Sequence, residues 1–550
     1  MVILIGTETE WSISPSERYY KKNPKDNESE EEGRRVVNEL ADFIAGTQIE
    51  LNDINSLFLR LCDTKPLDRE MNLRSFKSAN NDCYTESGFR IYKDPIMHLE
   101  SCTPECNSIF DVVEYEKASE LLVLAALRKY EKRHSREEDN FTLLKNNTDG
   151  KRSWAAHENY GISKNISGEM IDNMIPFLVT RIVYTGCGHM RMEPFTTGIK
   201  RSIDDYFELS PRAPFIIKIK SCSATESERS IIQQKEEPLM DSNKYQRFHI
   251  SCGDPSMFPY TNALKLGTTK VVLELLEEDK FFNVPELSIN AVEAIKEVSM
   301  HPYKTLEFKD GQNLSAINVQ KKFYLEPALK ILKGKNSEID WVLDNWVFAL
   351  DQLQHSKREI PKKFIGYLDW PTKRYLLSIF KKTNRLNLSD NGDLEQLVWK
   401  SIQFHDVDPA SGLLYPYGKE SYYPTKPDNV LYAIFNPPFN TRAGVRGVAI
   451  KHFSENISFI SWEQIKSKKV YDKDNKLNDG GIIDLNNLIS TNNDELEKLY
   501  REDISYDKFI KFCKKHDLWR TENERIEEKK TFQYDRSEDY PPPEFEGIQS

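Results

Sequence analysis

Polar and apolar residues alternate through Phe89-Arg90-Ile91-Tyr92-Lys93-Asp94. That period marks a strand with one covered face, so Arg90, Tyr92 and Asp94 share one side and Phe89 and Ile91 point into a core. The chain must therefore build a sheet whose exposed side shows a cation, a phenol and a carboxylate in a row. A few residues on, His98, Glu100 and Glu105 add titratable groups. Nucleotide and metal chemistry needs such clustering, although a plain surface strand can carry it too.

The net charge of -11 argues against general nucleic-acid binding, which wants a basic footprint. At 550 residues the chain is expected to hold one large domain and a smaller one, or a few domains. The apolar run at residues 1–6 is short, and no run approaches the ~18 residues of a membrane span. A cytoplasmic protein is the expectation. The cysteines, at 62, 83, 102, 106, 187, 222, 252 and 513, are scattered without a second zinc-spaced pair, which predicts reduced structural thiols.

Along the chain, residues 2–10 predict a strand and 14–32 a polar loop. Residues 33–45 have helical periodicity, and 47–87 form a long polar insertion. A helix is expected near 115–131, followed by a strand-rich block to about 255. A helix starting at Gly267-Thr268-Thr269 has a capping signal, and 338–405 is helical with Trp341, Trp346 and Leu350 as core candidates. The expected division is a catalytic domain over 1–427, a small C-terminal domain over 428–522, and a disordered tail over 523–550. No internal repeat is present.

Four clusters carry chemistry. Glu8 and Glu10, two apart on a strand, send both carboxylates to one face. They either flank a cation such as Mg²⁺ carrying a nucleotide's phosphates, or are solvated on an edge strand. Asp94, with Arg90, Tyr92 and Glu100, can act as base or nucleophile, or the group can simply hold an ion pair between Arg90 and a carboxylate. His157 and Glu158 follow a turn at Asp149-Gly150 and are structural or catalytic. Arg212, and Arg247 with His249 on one strand face, can stabilise a transferring phosphoryl group or be surface cations. No glycine-rich phosphate loop or GxSxG elbow is present, so any ATP site here is of a metal–carboxylate kind.

Taken in order, GTETEW (6–11), RIYKD (90–94), HLESCTPEC (98–106), KNNTDG (145–150), HENY (157–160), LSPRA (209–213), YQRFHISCGD (245–254), LKLGTTKVVLELLEE (264–278), YLDWPTKRYLL (367–377), NPPFNTRAGVRG (436–447) and SW (461–462) resemble the Pup ligase and Pup deamidase (depupylase) family. These are glutamine-synthetase-like carboxylate–amine ligases. The resemblance implies an α+β fold: a curved, largely antiparallel sheet cradling ATP, helices behind it, and a small C-terminal domain over the adenine. It implies that Glu8, Tyr92 and Glu100 hold Mg²⁺, with Glu10, His157 and Glu158 in the wider metal shell. Arg90, Thr103 and Trp462 would contact the nucleotide, Asp94 would be the catalytic aspartate, and Arg212 and His249 would surround the γ-phosphate.

The ligase branch joins Pup's C-terminal glutamate to a lysine; the deamidase branch converts a C-terminal glutamine to glutamate and cleaves the isopeptide bond. The insertion at 47–87 and the phrases SCTPEC, KLGTT and LDWPTK are similar to the deamidase branch. The implied partner is a Pup-like small protein or its conjugates, with no nucleic acid, no membrane and a monomeric enzyme. The chain departs from the family at Lys235-Glu236-Glu237-Pro238-Leu239, where an Arg-Asp-Glu-Pro-His segment is expected. Lysine cannot reproduce arginine's bidentate phosphate contact. His98-Leu99-Glu100-Ser101 replaces His-Pro-Glu-Tyr, and the insertion lacks an acidic Arg-Gly segment. A ligase or phosphotransferase with another substrate is the alternative, and a non-catalytic nucleotide-bound adaptor the third reading.

Overall fold

The computed structural model describes residues 3–15, 49–50, 72–78, 82–94, 98–134, 141–150, 152–154, 156–163, 165–194, 202–223, 225–234, 239–278, 284–355, 362–414, 423–468, 470–471, 477–478, 481–486 and 493–521. The helix expected at 33–45 and the tail from 523 lie outside them.

The alternation at 89–94 is realised in a ten-stranded sheet. Its strands are β1 (Leu4–Pro15), β2 (Ser75–Lys77), β3 (Cys83–Thr85), β4 (Arg90–Lys93), β5 (Leu99–Cys102), β6 (Phe141–Leu144), β7 (Ala156–Ser163), β8 (Lys218–Ser221), β9 (Ser230–Gln233) and β10 (Tyr245–Ile250). Across the sheet the order is β8-β9-β10-β7-β1-β5-β4-β3-β2, with β6 on the end of β1. Only β8 and β9 pair in parallel.

Register decides which residues meet. Glu10 lies opposite Glu100, and Glu100 opposite Tyr92. Glu8 lies opposite Cys102 on one side and His157 on the other. Directly opposed residues share a face, so one polar row crosses four strands. On the reverse face Ile5, Trp11, Ile91, Leu99, Tyr160, Ile162, Phe248 and Ile250 are buried. Each buried side chain of this size stabilises the fold by ~1.5–3 kcal/mol. Helices α1 (Ile109–Arg133) and α2 (Pro259–Glu277) cover that face.

Both helices begin earlier than the sequence reading places them. Ser108 caps α1, accepting from the Asp111 amide at 3.2 Å, and the Glu338 carboxylate accepts from the Ile109 amide at 2.8 Å. Helix α2 starts at Pro259, two turns before Gly267. The hydroxyls of Thr268 and Thr269 cap nothing; they donate to the carbonyls of Leu264 (2.7 Å) and Lys265 (2.8 Å) one turn back. Gly267 is there for space: a Cβ would sit 2.6 Å from Val342 Cγ2 on α3 (Ser337–His355).

The block expected to be strand-rich also contains the helix Met174–Thr180, buried throughout. An all-apolar run has no polar face to reveal its period. The region 338–405 is helical as expected: α3, then α4 (Asp369–Thr383) and α5 (Asn391–Gln403). Trp346 and Leu350 are buried, whereas Trp341 is half-buried. The insertion at 47–87 is not loop to its end, since β2 and β3 fall inside it and bury Cys83 and Tyr84.

The main apolar core continues into α6 (Pro427–Phe435), which lies on α1. A second core gathers Val445, Val448, Ile450, Phe453, Ile460, Leu496, Phe509 and Phe512 under a small sheet, with Tyr84 joining from β3. Its central helix is α7 (Arg442–Phe453). The described cysteines are free thiols, buried except Cys222. Among the described residues no helix is long and apolar enough to cross a membrane.

Candidate active site

The polar face of the sheet concentrates charge at one place. Ligand atoms of Glu10, Glu100 and His157 lie within 4.8 Å of one another, as do those of Glu8, His157 and His249, and of Glu10, Asp94 and His98. Glu8 Oε2 is 2.9 Å from His157 Nδ1, and Glu8 Oε1 accepts from Arg247 Nη2 at 2.7 Å and Asn159 Nδ2 at 3.1 Å. His249 meets the His157 ring edge-on, centroids 4.6 Å apart.

Burial alone would raise the pKa of Glu8, yet Arg247, the His157 hydrogen bond and His249 hold it well below the usual carboxylate range. Glu100 goes the other way: burial, then Glu8 and Glu10, push it well above that range. Burial and Glu100 likewise push the Tyr92 phenol up. Glu10 Oε2 is buried without a hydrogen bond; His98 Nδ1 stands 3.4 Å away. Crowded carboxylates that repel one another and leave an oxygen unsatisfied fit a divalent cation, which takes hard oxygen donors. Glu8, Glu10 and Glu100 are the residues that could hold it, with His157 and Tyr92 at the margin.

Asp94 is buried at the end of β4, where its amide donates to the His98 carbonyl at 2.9 Å. Its Oδ1 accepts from the His98 amide at 2.6 Å, and Oδ2 lies 3.6 Å from His98 Nδ1. Burial would lower the His98 pKa, but Asp94 and Glu10 outweigh it and raise it to about 9. Arg212 reaches the cluster from below, donating to Ser153 Oγ (2.9 Å) and the Ser251 carbonyl (3.2 Å). Burial lowers its pKa to about 10 against the pull of Glu10.

Beside the cluster opens a pocket, partly open to solvent, lined by Gly6, Glu8, Thr103, Arg247, Arg442 and Trp462 among others. Thr103 Oγ1 accepts from the Thr7 amide at 2.9 Å. Arg90 stands one strand outside the lining, paired with Asp82 at 2.7 Å and stacked over Tyr92 at 4.1 Å. The carboxylate partner anticipated for it is therefore Asp82.

One candidate falls elsewhere. Glu158 is on the reverse face, bound to Arg181 Nη2 at 2.5 Å and to the Tyr160 hydroxyl at 2.8 Å. Neighbours in a strand point to opposite sides, so His157 and Glu158 cannot both face the cluster. The same rule selects Asn159, which the sequence reading passed over. It named Arg247 and His98 but not their partners, Glu8 for the one and Glu10 and Asp94 for the other, and it missed the Glu105, Arg442 and Arg446 group at the pocket wall. That last group comes from segments more than 300 residues apart, and no local pattern announces it.

A family model described as Pup-ligase protein matches residues 3–466. A Pup deamidase/depupylase of Mycolicibacterium smegmatis is 33% identical over 390 residues, covering 69% of this chain and 74% of that one. A Pup–protein ligase of Acidimicrobium ferrooxidans is 31% identical over 387 residues, covering 68% and 81%. Among solved structures, the ligase PafA in its complex with Pup matches with a TM-score of 0.70 at 21% identity, covering 99% of this chain and 98% of that one. PafA in complex with ADP matches with a TM-score of 0.64 at 25% identity, covering 77% and 90%.

Proposed function

This chain belongs to the Pup-ligase family, and from that premise we propose that it is an ATP- and Mg²⁺-dependent amidase of the Pup deamidase (depupylase) type. It would convert the C-terminal glutamine of a Pup-like protein to glutamate and cleave isopeptide conjugates. The observation that carries this is the meeting of Glu8, Glu10 and Glu100 with Asp94 beside a pocket lined by Thr103, Arg247 and Trp462. The relative solved with ADP supports nucleotide as the occupant.

In this reading Glu8, Glu10, Tyr92, Glu100 and His157 hold Mg²⁺, and Thr103 and Trp462 contact the nucleotide, with Arg90 beside them. When bound, Mg²⁺ would neutralise the carboxylates and tie them to the phosphate oxygens. Arg212 and His249 would stabilise the charge on those oxygens. Asp94, held in place by the His98 amide, would either attack the side-chain amide carbon to form an anhydride that water then hydrolyses, or take a proton from a water that attacks. In both cases water supplies the hydroxyl of the new carboxyl group and the proton that leaves with ammonia, or with the lysine amine of a conjugate. Glu158 has no part in the chemistry. The enzyme acts as a cytoplasmic monomer.

The deamidase branch is favoured by the insertion before the catalytic strand. Within it, Ile49–Glu50 pairs antiparallel with Asn72–Leu73. The ligase reading is favoured by the likeness to PafA and to the Acidimicrobium ligase. There, Asp94 would be the base that deprotonates an acceptor amine, and ATP would be consumed at each turnover. The two are separated by incubating the protein with Mg-ATP and a Pup ending in glutamine. Amide loss with little ADP formed is expected. ADP release in step with conjugation of a glutamate-ended Pup, and no amide loss, would select the ligase.

A further inference from the structure

Glu105, on the pocket wall, gathers two arginines from α7. Arg442 Nε donates to its Oε1 at 2.5 Å, and Arg446 Nη2 donates to its Oε2. Arg442 also ties the wall together, donating to the carbonyls of Leu239 (2.7 Å) and Leu485 (3.0 Å). Arg446 is fully buried and does something different: its guanidinium lies 4.7 Å over the Trp462 ring, and its Nη1 is 3.4 Å from the Trp462 carbonyl. Tyr84 meets the same indole edge-on at 5.8 Å. Trp462 is therefore held between a stacked cation and an aromatic edge, and it lines the pocket.

A planar ring stacked on a guanidinium keeps its plane, whereas a half-exposed indole on a turn would otherwise sample several rotamers. We propose that Arg446, anchored by Glu105, is a positioning residue for nucleotide binding: it fixes the plane of Trp462 and so sets the pocket's affinity for the base. This rests on the reading of the pocket as the nucleotide site. The grip crosses between the segment just after β5, which supplies Glu105, and the C-terminal module, which supplies Arg446 and Trp462. The wall is complete only when the two are docked.

The test is a double-mutant cycle on the full chain, with ADP and Mg²⁺ titrated calorimetrically into wild type, R446K, W462F and the double variant. Lysine keeps a charge for Glu105 but can neither fork onto it nor lie flat on the indole. Losing the stack is expected to weaken ADP binding about tenfold in R446K. In the W462F background the same change should cost less than about twofold, because its effect is already spent. Equal losses in both backgrounds, or no loss in R446K, would overturn the proposal while leaving the nucleotide site in place. If R446K does not fold, E105Q runs the same cycle with the same expected pattern. A wild type that binds no ADP would overturn the functional reading itself and this inference with it.

Discussion

Replacing Glu158 with alanine distinguishes a structural ion pair from a member of the active face. Glu158 and Arg181 are each 1% exposed and joined by contacts of 2.5 and 2.9 Å. Without the carboxylate, Arg181 keeps Thr269 Oγ1 and, at 3.5 Å, the Lys265 carbonyl. A buried guanidinium left without its counter-ion costs ~3–5 kcal/mol. That is a large part of the ~5–15 kcal/mol that holds an ordinary domain together. Denaturant unfolding followed by tryptophan fluorescence should show the midpoint falling accordingly. The double change E158M/R181M removes both charges and should recover much of the loss. Nucleotide binding by whatever folded E158A remains should match wild type. A variant that unfolds like wild type yet no longer binds ADP would refute the placement of Glu158 behind the sheet.

Gly267→Val should destabilise by ~1–3 kcal/mol through a clash with Val342, read as a lower thermal midpoint; an unchanged midpoint would contradict the close approach of α2 and α3. Burial would raise the Glu105 pKa, but Arg446 and Arg442 depress it to about 2, so its stabilisation is present above the unfolded value near pH ~4.3 and is lost as pH falls towards 2. Unfolding midpoints between those pH values should therefore fall more steeply for wild type than for E105Q, and parallel curves would count against the two-arginine grip. ADP binding should weaken by more than about tenfold when EDTA replaces Mg²⁺, because carboxylates alone repel phosphates. Equal affinity in EDTA would remove the carboxylate-held metal.

The active face was legible because its logic is local. Two-residue spacing put Glu8 with Glu10 and Arg90 with Tyr92, and antiparallel register then aligned them. The same spacing, applied to HENY, separates His157 from Glu158 and adds Asn159. Helix starts were less legible. Gly267-Thr268-Thr269 looks like a capping signal, but those residues serve helix packing and one-turn-back hydrogen bonds. Met174–Thr180 is apolar on every side, so its period could not be seen. The Glu105–Arg442–Arg446 group and the Tyr84–Trp462 contact join distant segments, and only the folded chain brings them together.

Asp94 carries the proposed chemistry most directly. D94N is nearly isosteric and keeps an oxygen to accept from the His98 amide. In one sample of that variant, ADP binding with Mg²⁺ and conversion of a glutamine-ended Pup can be followed together, by calorimetry and by intact mass. Wild-type binding with turnover abolished is the expected result. Turnover surviving within about tenfold of wild type would contradict it, because a reacting carboxylate cannot be replaced by an amide at so small a cost.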